Sequence, residues 1–153
     1  MLTKSTRSAI RALVFLGSQK TQKPVSPKTI AAMIGESPSY LAKVLGQLAK
    51  AGILEPHRGA SGGFTLRRSA ARITLREIIE AAQGPILGDF CQETPVGMDT
   101  CAFHKAAEEL HHAILKTLNR WRLADLMEHP VPEPCLRRRN PCVLMPLPVS
   151  KPG

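Results

Sequence analysis

Four cysteines and a one-sided distribution of charge carry the chemistry of this 153-residue chain. The thiols are Cys91, Cys101, Cys135 and Cys142, and none falls in the first 90 residues, which is a poor framework for a secreted disulfide scaffold. A reducing cytoplasm suits them better and leaves them available for metal or redox chemistry. The chain carries 21 Lys plus Arg against 12 Asp plus Glu, a formal charge of +9. Residues 1–73 hold 12 of the bases and only two acids, Glu36 and Glu55; residues 74–129 hold 5 against 9, and residues 130–153 hold 4 against 1. The positive field therefore belongs to the N-terminal half. A single-sign block of this kind is what phosphate binding needs, whereas a generic surface mixes its signs. A membrane-surface role would want one basic amphipathic helix, yet these bases are spread over several elements. No apolar run approaches the ~18 residues of a membrane span, so the chain reads as soluble. At 4% aromatic it has few rings for stacking single-stranded bases.

The elements that must position these groups are legible from caps and periodicity. One domain plus an appended element fits the length. The first 20 residues are acid-free and carry Lys4, Arg7 and Arg11, like a targeting segment, but Arg11 interrupts their apolar stretch. They read as an ordinary first helix, with Ile10, Leu13, Val14 and Gly17 on one face. Ser26-Pro27 opens a second helix to about Met33, Gly35 permits a tight turn, and Ser37-Pro38 opens a third that Gly52 ends. Two short capped helices joined by a glycine turn predict a helix-turn-helix. On the third helix Leu41, Val44, Leu45 and Leu48 share a packing face, and Ser39, Lys43, Gln47 and Lys50 share the opposite one. Residues 53–57 and 64–67, separated by a glycine-rich tip, predict a hairpin, and Pro56 puts it at a sheet edge. The fold class is thus mainly α with a small β-hairpin, a winged helix-turn-helix.

Thr74 caps a helix through Ala82, and Gly84-Pro85 ends it before a loop with Cys91. From Cys101 to about Glu128 there is no Pro or Gly, which predicts one long helix. Its apolar residues Phe103, Ala107, Leu110, Ile114, Leu118 and Trp121 form a stripe that is either intramolecular core or, in part, a dimer seam. The domain boundaries are 1–83 for the winged unit, 84–100 for the cysteine-bearing loop, 101–129 for the dimerisation helix and 130–153 for the tail. Seven of the last 24 residues are Pro, so the tail reads as extended and disordered, with Arg137, Arg138 and Arg139 as a solvated charge run.

On these residues the sequence resembles the IscR/NsrR-like, or Rrf-two, family of bacterial winged-helix transcription regulators over about residues 1–129. Its most specific pieces are Ser39-Tyr40-Leu41, the run from Leu48 to Leu54, the tip from Arg58 to Phe64, and Cys101-Ala102-Phe103-His104. The resemblance implies a homodimer with crossed long helices, each subunit setting a recognition helix in the major groove of double-stranded DNA and a wing in the minor groove. The residues agree. Arg7, Lys28, Lys43 and Lys50 are placed for phosphates, and Ser39, Tyr40 and Lys43 for base edges, with Ser37 and Gln47 beside them. At the wing Arg58, Gly59, Ser61, Gly62 and Gly63 complete the set, and Arg58 in a narrow minor groove implies an A·T-rich palindromic operator.

The resemblance also implies an iron-sulfur cluster on three cysteines ahead of the long helix, and here the pattern departs from it. Only Cys91 and Cys101 lie in that segment, with nothing but Gln92 to Thr100 between them. A 2Fe-2S cluster needs four protein ligands, and Cys91, Cys101 and His104 make three. Glu93, Asp99, a tail cysteine or the other subunit would supply the fourth, and Glu108 could orient His104. The 2Fe-2S form is favoured, and 4Fe-4S stays open. A metal-free thiol pair, a zinc site and a degenerate ligand set are the competing readings. Cys135 and Cys142 read as bystanders, because ordering a Pro-rich tail costs chain entropy. His111 and His112 read as solvated helix positions. The functional expectation is a cytoplasmic, dimeric regulator, read as a repressor, whose DNA affinity follows the state of this site. The alternatives are a cofactor-free regulator sensing a small molecule or partner protein and, with no Cys-x-x-Cys or phosphate-cradling loop to support it, a metal-handling or thiol-redox enzyme.

Overall fold

A computed structural model of the chain describes residues 2–19, 23–86 and 101–128. Helix α1 spans Lys4–Gly17, α2 Pro27–Ile34 and α3 Pro38–Lys50. Strands β1, Leu54–His57, and β2, Gly63–Leu66, follow, then a 3-10 turn at Ala70–Arg72, α4 at Leu75–Gln83, α5 at Ala102–Arg120 and α6 at Leu123–Glu128. Each early helix opens on a side-chain cap. Thr3, Ser26 and Ser37 accept from the amides of Thr6, Thr29 and Tyr40, satisfying donors that have no partner inside the helix. Pro27 and Pro38 stand at the first helical positions, where the missing N–H costs nothing. Gly35, at φ 71°, ends α2 in the left-handed region and lets the chain reverse into α3 within three residues.

The core is aliphatic. Leu13 and Val14 of α1, Ile30 and Ile34 of α2, and Leu41, Leu45 and Leu48 of α3 meet Ile53, Leu54, Ile73, Ile78 and Leu123, all fully buried. Each such side chain contributes about 1.5–3 kcal/mol of burial, so seven of them from the three N-terminal helices outweigh any one surface contact in fixing their arrangement.

The wing is a two-stranded antiparallel hairpin in which Leu54 faces Leu66 and His57 faces Gly63. Val25 extends it: its amide donates to the Phe64 carbonyl at 3.1 Å, and the Phe64 amide donates back at 2.9 Å. Both backbone groups of Phe64 therefore point away from Pro56, the residue opposite it on β1. Pro56 lies on the outer strand, where its missing N–H breaks no ladder bond.

The run after Cys101 differs from the single helix expected through about Glu128. Helix α5 ends at Arg120, Trp121 is extended, and α6 begins at Leu123. The cause is tertiary, which is why no Pro or Gly marks it. The Trp121 carbonyl accepts from the Leu75 amide at 2.8 Å, and the Leu123 amide donates to the Ile73 carbonyl at 2.9 Å. The Arg122 amide, freed by the break, donates to Asp125 Oδ2 at 2.7 Å. Two backbone bonds and the burial of Leu123 thus fold α6 back onto α1 and the 3-10 turn.

Helix α4 starts at this crossing on a capping box. Thr74 Oγ1 accepts from the Glu77 amide at 3.1 Å, the Thr74 amide donates to Glu77 Oε2 at 2.7 Å, and Arg68 Nη2 donates to Glu77 Oε1 at 2.8 Å. Burial pushes the Glu77 carboxyl up, but the Thr74 amide, the Arg68 guanidinium and the Thr74 hydroxyl outweigh it and hold it below its ordinary value. A group that protonates less readily folded than unfolded stabilises the fold above its ordinary titration range, and the contribution disappears as pH falls through the folded value. Glu77→Gln, which keeps a capping-box side chain but loses the charge, is therefore expected to cost about 0.5 kcal/mol near neutral pH and nothing in acid. Denaturant unfolding of both proteins across that range checks it; parallel curves at every pH would contradict it.

Candidate nucleic-acid interface and cysteine site

Helix α3 buries Leu41, Val44, Leu45 and Leu48, so the opposite face must meet solvent. Ser39, Lys43, Gln47 and Lys50 are all exposed there, and Ser37 sits exposed at the cap. Arg7 on α1 and Lys28 on α2 are exposed as well. Tyr40 is placed differently from its neighbours: it is half-buried against the core, and Lys4 Nζ lies 4.8 Å from its ring centroid. Its ring is thus a support between α1 and α3.

The two acids of the basic half are engaged internally. Glu36 Oε1 accepts from Ser8 Oγ at 2.8 Å and Glu36 Oε2 pairs with Lys4 Nζ at 3.2 Å, while Glu55 pairs across the hairpin with Arg67 at 3.5 Å. Among the described residues no ion pair involves Arg7, Lys28, Lys43, Lys50 or Arg58. Arg11 belongs to the scaffold. Its Nη2 donates to the Ile34 carbonyl at the end of α2, and burial pushes its guanidinium down against the opposing pull of Glu36.

Arg58, Gly59 and Ser61 are exposed at the wing tip. The Val25–Phe64 pairing brings Lys23 to the same place, and Lys23, Pro24, His57, Arg58 and Ser61 surround an open cleft of about 510 Å³. His57 Nε2 and Thr65 Oγ1 are 2.9 Å apart on this side. Sequence periodicity put His57 on the hairpin but could not locate Lys23, because a lone residue pairing with a strand leaves no pattern. Gly62 and Gly63 have a structural reason to be glycine: a Cβ on Gly63 would lie 2.3 Å from the Val25 carbonyl oxygen, and one on Gly62 would lie 2.5 Å from that of His57.

Cys101 caps α5, its exposed Sγ accepting from the His104 amide at 3.4 Å, while His104 is buried one turn later. Glu108 and His112 are exposed and His111 is half-buried. Among the described residues no three His, Cys, Asp or Glu side chains cluster as a metal site. Cys91, Glu93, Asp99, Cys135, Cys142 and the arginines of the tail lie outside the described residues. The donor set is chemically suited to iron, a thiol with an imidazole close in sequence, but the described residues supply only these two of four ligands. Beyond them α5 stands away from the body: Phe103 is 71% and Leu110 63% exposed, Ala107 and Ile114 are half-buried, and only Leu118 of that stripe is buried. No helix among the described residues is long and apolar enough to cross a membrane.

A family model described as "Rrf2: Iron-dependent Transcriptional regulator" matches residues 2–129. The chain is 33% identical over 135 residues to the HTH-type transcriptional regulator NsrR of Geobacillus kaustophilus, covering 83% of this chain and 89% of that protein. Among solved structures it is similar to CymR, the global cysteine regulator of B. subtilis, with 26% identity, a TM-score of 0.69, and 84% of this chain and 96% of that one covered. It is also similar to T. potens IscR, at 26% identity and a TM-score of 0.67, covering 86% of this chain and 88% of that one.

The glycines give a direct check on the geometry. Gly63→Ala is expected to lower the unfolding midpoint, since backbone rather than a flexible side chain occupies the space of the new methyl group. Gly46→Ala, with nothing within 4 Å of its Cβ in the middle of α3, is expected to raise stability by about 0.5–1 kcal/mol. Thermal melts of the two proteins moving in the same direction would contradict this packing.

Proposed function

The chain belongs to the Rrf2 family of transcriptional regulators, and from that premise we propose that it is a homodimeric repressor whose hold on DNA follows the state of the segment around Cys91, Cys101 and His104. The family makes it a DNA-binding regulator rather than an enzyme. The observation that carries the finer reading is the exposed face of α3, where Ser39, Lys43, Gln47 and Lys50 stand free of acids because Glu36 and Glu55 are engaged elsewhere.

In this reading Ser37, Ser39, Lys43 and Gln47 enter the major groove, with Tyr40 at the helix start. Arg7, Lys28 and Lys50 hold phosphates, and the wing brings Arg58, Gly59, Ser61, Gly62 and Gly63 to the minor groove. An A·T-rich palindrome matches a two-fold dimer whose wings carry arginine to a narrow groove. The dimer seam is the outer part of the α5 stripe, Phe103 and Leu110, which this chain leaves open to solvent. The cofactor is an iron-sulfur cluster, 2Fe-2S in preference to 4Fe-4S, held in the cytoplasm by Cys91, Cys101 and His104 with a fourth ligand from elsewhere. When bound it would supply iron–thiolate bonds that are made and broken by redox and ligand exchange. What this chain contributes is position: Cys101 opens the helix that carries the seam, and Gly84-Pro85 connects its segment to the DNA-binding unit. The exposed thiol of Cys101 supports a second reading, a cofactor-free thiol switch at the same position.

Titration of the full-length protein against duplexes selected from a genomic library is expected to show affinity falling steeply with salt. Lys43→Ala should weaken every duplex and reduce the salt slope by about one. Leu110→Glu should give a monomer that has lost operator binding. Salt-independent binding, or full binding by a monomer, would overturn the reading. For the cysteines, anaerobically purified protein is expected to show visible charge-transfer absorbance with bound iron and sulfide, lost in Cys101→Ala together with the wild-type operator affinity. A colourless wild type whose affinity responds to oxidant and to Cys101→Ala would instead establish the thiol switch.

A further inference from the structure

The first two turns of α1 are held from two sides. Towards α4, Gln83 Oε1 accepts from the Thr3 amide at 3.2 Å and from the Thr6 hydroxyl at 2.6 Å, and Ser5 Oγ donates to the Ala82 carbonyl at 3.0 Å. Towards the helix-turn-helix, Ser8 Oγ donates to Glu36 Oε1 at 2.8 Å, and Lys4 lies between Glu36 Oε2, at 3.2 Å, and the Tyr40 ring, at 4.8 Å from its centroid. Gln83 is the last residue of α4, directly before Gly84-Pro85. Glu36 precedes the cap of α3, and Tyr40 lies in the first turn of that helix. One short stretch, residues 3–8, therefore bonds the C-terminal end of α4 to the N-terminal end of the recognition helix.

Burial decides which of these contacts matter. Lys4 is 65% exposed, and an ion pair so open to water contributes little. Ser8 is fully buried and the Glu36 side chain only 11% exposed, so breaking their bond strands polar groups away from water. Gln83 is exposed, but its partner Thr6 is fully buried, and losing Gln83 leaves the Thr6 hydroxyl only the Thr3 hydroxyl, at 3.1 Å. An unsatisfied buried group costs more than a surface pair gains.

We propose that residues 3–8 act as a strap that sets the pose of the recognition helix from the end of α4, with Glu36 and Gln83 as positioning residues for DNA selection. This rests on the DNA-binding reading above. It links Gln83, at the end of α4, to Glu36 at the start of the recognition helix through the single turn of α1 between Thr6 and Ser8.

The test compares affinity for a duplex selected by the wild-type protein with affinity for a scrambled duplex of the same composition. Glu36→Gln removes an acid beside the basic face, so charge alone would tighten both duplexes together. The strap instead requires the selected-to-scrambled ratio to fall about fivefold, with the salt slope retained. Gln83→Leu changes no charge and is expected to lower the ratio by a similar factor. A ratio within twofold of wild type for either folded variant overturns the strap and leaves DNA binding standing. A wild type that prefers no duplex overturns both. Should either variant lose its cooperative melt, Ser8→Ala, which removes a single hydroxyl, is judged by the same twofold limit.

Discussion

The arrangement depends on the two-sidedness of α3. Four of its thirteen residues, Leu41, Val44, Leu45 and Leu48, are fully buried against α1, α2 and the start of β1, and no other face of the helix could exchange with them. Exposing these side chains would cost several kcal/mol, a large part of the 5–15 kcal/mol by which a domain of this size is stable. That one constraint fixes the rotation of the helix about its axis. It therefore fixes where Ser39, Lys43, Gln47 and Lys50 point, and no contact with DNA is needed to set them there. The caps then fix its start: Ser37 and Pro38 begin the helix at a defined residue, so the polar face has a defined register as well as a defined direction.

Electrostatics works on this frame chiefly through where the acids go. A basic half with two carboxylates could have spent them next to the exposed lysines and cancelled its own field. Instead Glu36 is drawn down towards Ser8 and Lys4, and Glu55 lies on the hairpin against Arg67. Glu36 is held by its buried bond to Ser8 and Glu55 lies on the hairpin away from α3, so the bases of α3 and the wing tip keep a field that a polyanion can exploit. Of the nine acids in residues 74–129, Glu77 and Glu80 fall on α4, Glu108 and Glu109 on α5, Asp125 and Glu128 on α6, and Asp89, Glu93 and Asp99 in the sequence between α4 and α5. The separation of sign along the chain thus leaves the acids after Glu55 on elements other than α3 and the wing.

What the sequence made legible was whatever local chemistry decides. Caps, prolines and the glycine turn located α2 and α3, period-two text between glycines located the hairpin, and the burial pattern of α3 followed from spacing alone. The sequence was silent where distant backbone decides. Nothing in the run from Cys101 to Glu128 marks a break, because α5 stops for bonds to Ile73 and Leu75, some fifty residues earlier. Spacing puts Tyr40 at the start of α3, but that its ring also packs under Lys4 depends on how α1 crosses α3. The sequence marks the wing tip as glycine-rich, but not that at Gly62 and Gly63 the chain's own carbonyls leave no room for a side chain. Within the candidate site, the exposed cations were foreseen, while Lys23 required the lone pairing of Val25.

The crossing of residues 73–75 with 121–123 gives the C-terminal helices their mechanical meaning. A long unbroken α5 would have lacked this tie. Breaking it at Trp121 ties it down at its far end, by two backbone bonds and the buried Leu123, beside the capped start of α4. Helix α5 also packs directly against α4, so the crossing at Trp121 adds to a contact the two helices already make. The far end of α5 is thus held beside the start of α4, the helix whose C-terminal end bonds Thr3, Ser5 and Thr6. Hydrogen bonds therefore join the crossing to the start of α4, and the end of α4 through residues 3–8 to the start of α3.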